Sequence, residues 1–224
     1  MDRRGVEVMK NIKIFVVFLV IACMMVLMIG CDKNEKVDES DVMSENFVTA
    51  DELGILSGSD ECSEIVNKAI AEGKSIMFGN GEFIFNDTVN LKNSQLVGSG
   101  YNSTRFIYKG DKQFIKADGQ FGIKNMSIRC SEITGEEKQG ERVIVTLGTN
   151  GGVKEGSYIS MVHFGQCGTT IYEGKDATPS QGFTMQTLEI SSASYAAFDF
   201  NSVGRKNNTI NRDKFIMQLF KYSY

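Results

Sequence analysis

Proline is nearly missing from this chain, tryptophan is missing altogether, and histidine occurs once, as His163. A single Pro against 23 Gly leaves turns to Gly, Asn and Asp, which suits many short strands joined by tight turns. Cysteine is sparse too. Cys23 and Cys31 lie in or at the end of an apolar run, so only Cys62, Cys130 and Cys167 belong to the body of the chain. Three distant cysteines build no disulfide framework, and with no Cys-x-x-Cys pair a zinc site is not expected. They read as small buried residues. Basic excess is absent as well: the net charge of −4 provides no cationic face for phosphate neutralisation, so nucleic acid is not an expected partner.

The one long apolar run, Ile14 to Ile29, has 16 residues, about 24 Å as a helix, where a membrane span needs about 20 residues. Lys10 and Lys13 precede it, and positive charge before an apolar core is the layout of a secretory signal. It closes on "LMIGC". Met28, Ile29, the small Gly30 and then Cys31 resemble the lipobox of bacterial lipoproteins, with Met in place of the usual Leu. That resemblance implies cleavage before Cys31 and acylation of its thiol, so the expected partner is a membrane, through lipid on Cys31, with the body on the extracytoplasmic side. An uncleaved anchor helix is the alternative. The expected division is a signal at 1–30, an acidic tether at 31–50, a folded domain at 51–210 and a tail or cap at 211–224. The tether reading rests on six acidic residues and two lysines between 32 and 50 with few large apolar ones, too little to bury for a stable fold.

Beyond the tether, "SGSDECSEIVNKAIAEGKS" predicts a helix capped by Ser59 or Asp60 and ended by Gly73. Its apolar stripe is Cys62, Ile65, Val66, Ala69 and Ile70. Short β-branched and aromatic strands follow: "SIMFG", "EFIFN", "TVNL", "SQLVG", "RFIYK" and "QFIKA". Three later segments share a template of apolar, two residues, apolar, one residue, apolar. They are "IKNMSI" (123–128), "ISMVHF" (159–164) and "MQTLEI" (185–190), stepping by 36 and 26 residues. The polar run 131–141 reads as an insertion that accounts for the longer step. A second strand follows two of the three, reaching Ile171 and Phe198 after seven or eight residues. Such steps predict a solenoid, with an antiparallel sandwich as the rival.

The order of elements over 53–108 resembles the N-terminal region of pectate-lyase-superfamily proteins. The correspondence runs through Gly58, Asp60, Ser63, Ile65, Ala69 and Ile70, then "SIMFGNGEFIF", then "SQLVGSGYNSTRFIY". The resemblance implies an all-β fold, a right-handed parallel β-helix with an N-terminal capping helix. It also implies a polysaccharide ligand, with lyase or glycoside-hydrolase chemistry if the chain is an enzyme. A non-catalytic adhesion or structural module, including a truncated relative, is the competing reading. Lyases of this group use acidic calcium ligands, so calcium is the cofactor the resemblance implies, with no residue assigned to it. The candidate catalytic residues are Glu173, after "TIY", and Asp199, after "AAF", expected to stack on neighbouring coils with Asp176 and Arg205 nearby in sequence. The alternative is that they are solvated outward-facing residues. His163 alternates with Val162 and Phe164 on a strand. Tyr101, Tyr108, Tyr158, Tyr172 and Tyr195 are candidate sugar-stacking rings.

Overall fold

A computed structural model describes residues 43–178 and 182–200 and the backbone of 209–210 and 216–217. The expectations for Cys31, the apolar run and Arg205 lie outside these residues. The chain winds as a parallel β-solenoid of three strand walls. Wall A stacks β1 (Phe47–Thr49), β2 (Ser75–Phe78), β5 (Gln95–Gly98) and the first parts of β8 (Gly122–Cys130), β10 (Tyr158–Glu173) and β11 (Thr184–Phe200), then β12 (Thr209–Ile210). Wall B stacks β3 (Gly81–Phe85), β6 (Thr104–Tyr108), the second parts of β8, β10 and β11, then β13 (Ile216–Met217). Wall C stacks β4 (Val89–Lys92), β7 (Gln113–Asp118), β9 (Val143–Leu147) and the last parts of β10 and β11. Every strand pairing among the described residues is parallel, which excludes the sandwich.

Like residues stack coil on coil. Wall A points Ile76, Leu96, Ile123, Ile159 and Met185 inward at one register position, and all are buried. Wall B does the same with Phe83, Phe106, Ile128, Phe164 and Ile190. The three template segments fall into register as their spacing predicts: Ile123 with Ile159 and Met185, Met126 with Val162 and Leu188, Ile128 with Phe164 and Ile190. The two-residue gap in that template has a backbone cause. Asn125, Met161 and Thr187 have φ of 57°, 55° and 51°. A left-handed residue breaks the period-two alternation and turns the chain from wall A into wall B. The unequal spacing to Ile171 and Phe198 is also explained. Register slips between Cys167/Ala193 and Thr169/Ala196, so β11 carries one extra residue there and Ile171 still meets Phe198.

The first coil offers open strand edges, which need partners. Helix α1 (Ser63–Ala71) covers wall C, burying Val66, Ala69 and Ile70. Its side chains stand in for a missing strand: Asn67 Nδ2 donates to Thr88 O (2.8 Å), and Asn67 Oδ1 accepts from Asn90 N–H (2.7 Å). Residues 57–62 line the edge of β3, where Gly58 N–H donates to Glu82 O and Cys62 N–H to Ile84 O. Strand β1 pairs along β2. The capping helix is therefore present, but it starts later than Ser59 or Asp60 would place it. Its N-cap is Cys62, without a side-chain capping bond, because Ser59 Oγ instead accepts from Leu56 N–H. Gly73 ends it in the left-handed conformation (φ 72°). Residues 47–49, within the stretch read as tether, belong to wall A. The stretch 211–224, read as a tail or cap, contains a strand at Ile216–Met217 that pairs with β11.

Candidate functional site

The outer face of wall C brings together three of the side chains expected to carry function, Asp199, Asp176 and Tyr172. Lys116, Thr146, Tyr172 and Asp199 occupy one register column on β7, β9, β10 and β11. Beside it lies a groove of about 510 Å³ lined by Gln113, Gln139, Thr146, Tyr172, Lys175 and Asp176. Gln139 comes from the inserted run 131–141, and its Nε2 donates to Asp199 Oδ2 at 2.7 Å. That run is held down by Glu137, which accepts from Thr134 N–H (2.6 Å), Gly135 N–H (3.0 Å) and Ser194 Oγ–H (2.6 Å) and lies 3.7 Å from Arg142 Nε. Burial pushes the Glu137 carboxyl pKa up, but the hydrogen bonds from Ser194 and Thr134 outweigh it and hold the group below its ordinary range.

Tyr172 is the central aromatic of this face. Burial first, then the Asp199 and Asp176 carboxylates, push its pKa up. The phenol therefore stays protonated at neutral pH and can donate a hydrogen bond. Thr146 is 2% exposed, and its Oγ1 has no hydrogen-bond partner among the described residues. Leaving such a group unsatisfied costs about 1–3 kcal/mol. A groove with one ring, a phenolic donor, a carboxylate, an ammonium and two amides has the makings of a site for a polyhydroxylated ligand.

The expected stacking of Glu173 on Asp199 is not what the register shows. Asp199 pairs with Tyr172, whereas Glu173 pairs with Phe200. Adjacent strand positions point to opposite faces, so Glu173 shares the column of Leu91, Ala117 and Leu147 that faces the interior, and it is fully buried. Two carboxylates must flank one glycosidic bond to act as an acid–base pair, and these two do not. Sequence spacing missed this because a one-residue offset swaps faces. The carboxylate that does approach the Tyr172–Asp199 patch is Asp176, in the loop after β10.

The remaining candidates divide. His163 is held from both sides, its Nδ1 3.3 Å from Ser127 Oγ and its Nε2 3.1 Å from Ser191 Oγ. Tyr108 is buried against Phe114 with ring centroids 4.8 Å apart. Tyr158 crosses Gly122 to donate to Gln95 Oε1 at 2.5 Å; a Cβ on Gly122 would come within 2.7 Å of its ring. Tyr101 and Tyr195 are exposed. Cys62, Cys130 and Cys167 are buried and unbonded to one another. Burial pushes their thiols up to about 11, 12 and 12, which leaves them inert. Among the described residues no group of three or more His, Cys, Asp or Glu is placed to hold a metal ion.

No protein-family model matches this chain, and no curated protein does. Among solved structures, the catalytic domain of Agl-KA is similar, with a TM-score of 0.54 and 14% identity. The match covers 75% of this chain and 38% of that one, so this chain spans well under half the length of the structure it resembles. At that identity the likeness establishes a shared β-solenoid fold.

Proposed function

We propose that this chain is an extracytoplasmic polysaccharide-binding protein, held to a bacterial membrane by lipid on Cys31, with wall C as its glycan-binding face. The observation that carries the reading is the groove lined by Tyr172, Asp176, Lys175, Gln113 and Gln139, with Asp199 beside Tyr172 on the neighbouring coil. A sugar ring laid on Tyr172 exchanges apolar contact with its face, and its hydroxyls meet the Asp176 carboxylate, the phenol, the Lys175 ammonium and the Gln113 amide. The parallel coils repeat this polar face along the solenoid axis at about 4.8 Å, a geometry suited to an extended chain of like units. Cleavage is the second reading, favoured by the presence of two carboxylates, Asp176 and Asp199, around one tyrosine. In it the two share acid and base duties, and Glu173 takes no part.

Titration calorimetry of the full chain in detergent, against neutral and uronate polysaccharides, tests the first reading. Binding is expected, with at least a tenfold loss in Tyr172→Ala. No binding across the panel, or binding indifferent to Tyr172→Ala, rules out wall C. Reducing-end and unsaturated-product assays on the same mixtures test cleavage, which Asp199→Ala and Asp176→Ala must each abolish. Mass spectrometry of the N-terminal peptide tests the anchor: a diacylglyceryl adduct on Cys31 is expected, and an unmodified, uncleaved N-terminus contradicts it.

A further inference from the structure

We propose that the corner between walls A and B carries a second ligand site, separate from wall C, that takes a single neutral sugar ring. Three successive coils turn this corner on Asn125, Met161 and Thr187, all left-handed. Asn tolerates that conformation, but a bulky Met does not, and a β-branched Thr there is an outlier. Gly or Asn would make the same turn with less strain, so the side chains themselves are what Met161 and Thr187 contribute. They line a groove of about 510 Å³ together with Asn125, Tyr101, His163 and Glu189.

The groove is pre-organised. The loop bearing Tyr101 is clamped to the corner: Gly100 N–H donates to Asn125 O (3.0 Å) and Ser103 N–H to Gly100 O (2.9 Å). Gly98 permits that approach, since a Cβ there would lie 2.3 Å from Asn125 O. The His163 ring is fixed through both nitrogens by Ser127 and Ser191. On this rigid frame Tyr101 and Met161 stand 49% and 46% exposed, two apolar surfaces beside polar ones. An occupant that matches must be apolar on one face and rich in hydroxyls at its edge. Tyr101 and Met161 take the face; the Asn125 amide and the Glu189 carboxylate take the hydroxyls. With Glu189 as the charged lining group, an anionic sugar is disfavoured and a neutral one fits. This inference does not depend on the wall C reading.

Saturation-transfer NMR on the full chain in detergent tests it, with methyl β-glucoside, methyl β-galactoside and N-acetylglucosamine as probes and glucuronate as the charged control. In a Tyr172→Ala background, which removes the wall C ring, transfer to ring protons of at least one neutral probe is expected, with at least a tenfold weaker Kd once Tyr101→Ala is added. Met161→Asn is expected to raise the melting midpoint and weaken binding at least fivefold, a pair of opposite shifts that a purely structural turn residue would not produce. The proposal fails if, in that background, no neutral probe shows transfer, glucuronate binds as well, or adding Tyr101→Ala or Met161→Asn leaves binding unchanged. Loss in Tyr172→Ala alone would assign the signal to wall C and overturn this site while leaving that one standing.

Discussion

The early coils and the late coils of this solenoid are built to different ends. Between β2 and β7 the interior is an aromatic stack: Phe78, Phe83, Phe85, Phe106 and Phe114 meet with ring centroids 4.6–6.4 Å apart, mostly edge to face. The strand edges there are sealed by β1, residues 57–62 and α1. Between β8 and β11 the interior is mostly Ile, Val, Leu, Met and Cys, with Phe164 and Phe183 among them, and admits a buried carboxylate, Glu173. The left-handed Met161 and Thr187, the Glu137-anchored insertion and both grooves belong to this later part or border it. Aromatic pairs add about 0.5–1.5 kcal/mol beyond their buried area, and left-handed non-glycine residues cost roughly 1–2 kcal/mol each. Stability is thus concentrated at one end, and strain with polar chemistry at the other.

Emptying the aromatic stack is the strongest way to break that division. Phe106 touches four other rings and is fully buried, so Phe106→Ala is expected to cost about 3–5 kcal/mol, read from urea unfolding. An equal loss from Ile171→Val would erase the contrast, since that change is expected to cost only about 0.5–1.5 kcal/mol. Next comes the cap. Asn67→Leu removes both bonds to the edge of β4 and is expected to cost about 1–3 kcal/mol, with faster amide exchange at Asn90.

Acid sharpens the late end. The folded pKa of Glu137 lies below its ordinary value of 4.5, so its contribution is complete above that value and is lost as pH falls through the lower folded one. Proteolysis within 131–141 is expected to accelerate only below about pH 4.5, and Glu137→Gln is expected to abolish that step; a pH-independent cleavage rate in the parent would contradict the latch. Thr187→Asn relieves the left-handed outlier and is expected to stabilise by about 1 kcal/mol. The smallest effect belongs to the exposed Arg105–Glu82 pair, at 3.3 Å: Arg105→Ala is expected to shift stability by under about 0.5 kcal/mol, and a larger shift would mean that surface charge contributes to the early end.

Repetition made much of this architecture legible from residues alone. The apolar spacing of 123–128, 159–164 and 185–190 returns at each coil because each coil must present the same inward positions to its neighbour, and the Gly- and Asn-rich turns mark where coils bend. The capping helix was legible from its apolar stripe and Gly73. The N-cap was not, because Ser59 turned its hydroxyl to Leu56. The site was harder to read. Asp199 and Tyr172 were both visible as candidates, but their pairing was not. The displacement of Glu173 into the interior, the left-handed corner and the reach of Gln139 to Asp199 gave no local signal either.

What the sequence by itself determined, then, is a set of repeating short-strand steps behind one amphipathic helix, since periodicity and composition act locally and recur; the parallel stacking was implied by the family resemblance, and strand pairing excluded the sandwich. Only the tertiary structure decided which face each polar side chain occupies. Strand register, a single extra residue in β11 and one left-handed φ per coil set that outcome, and each depends on neighbours 20–40 residues away.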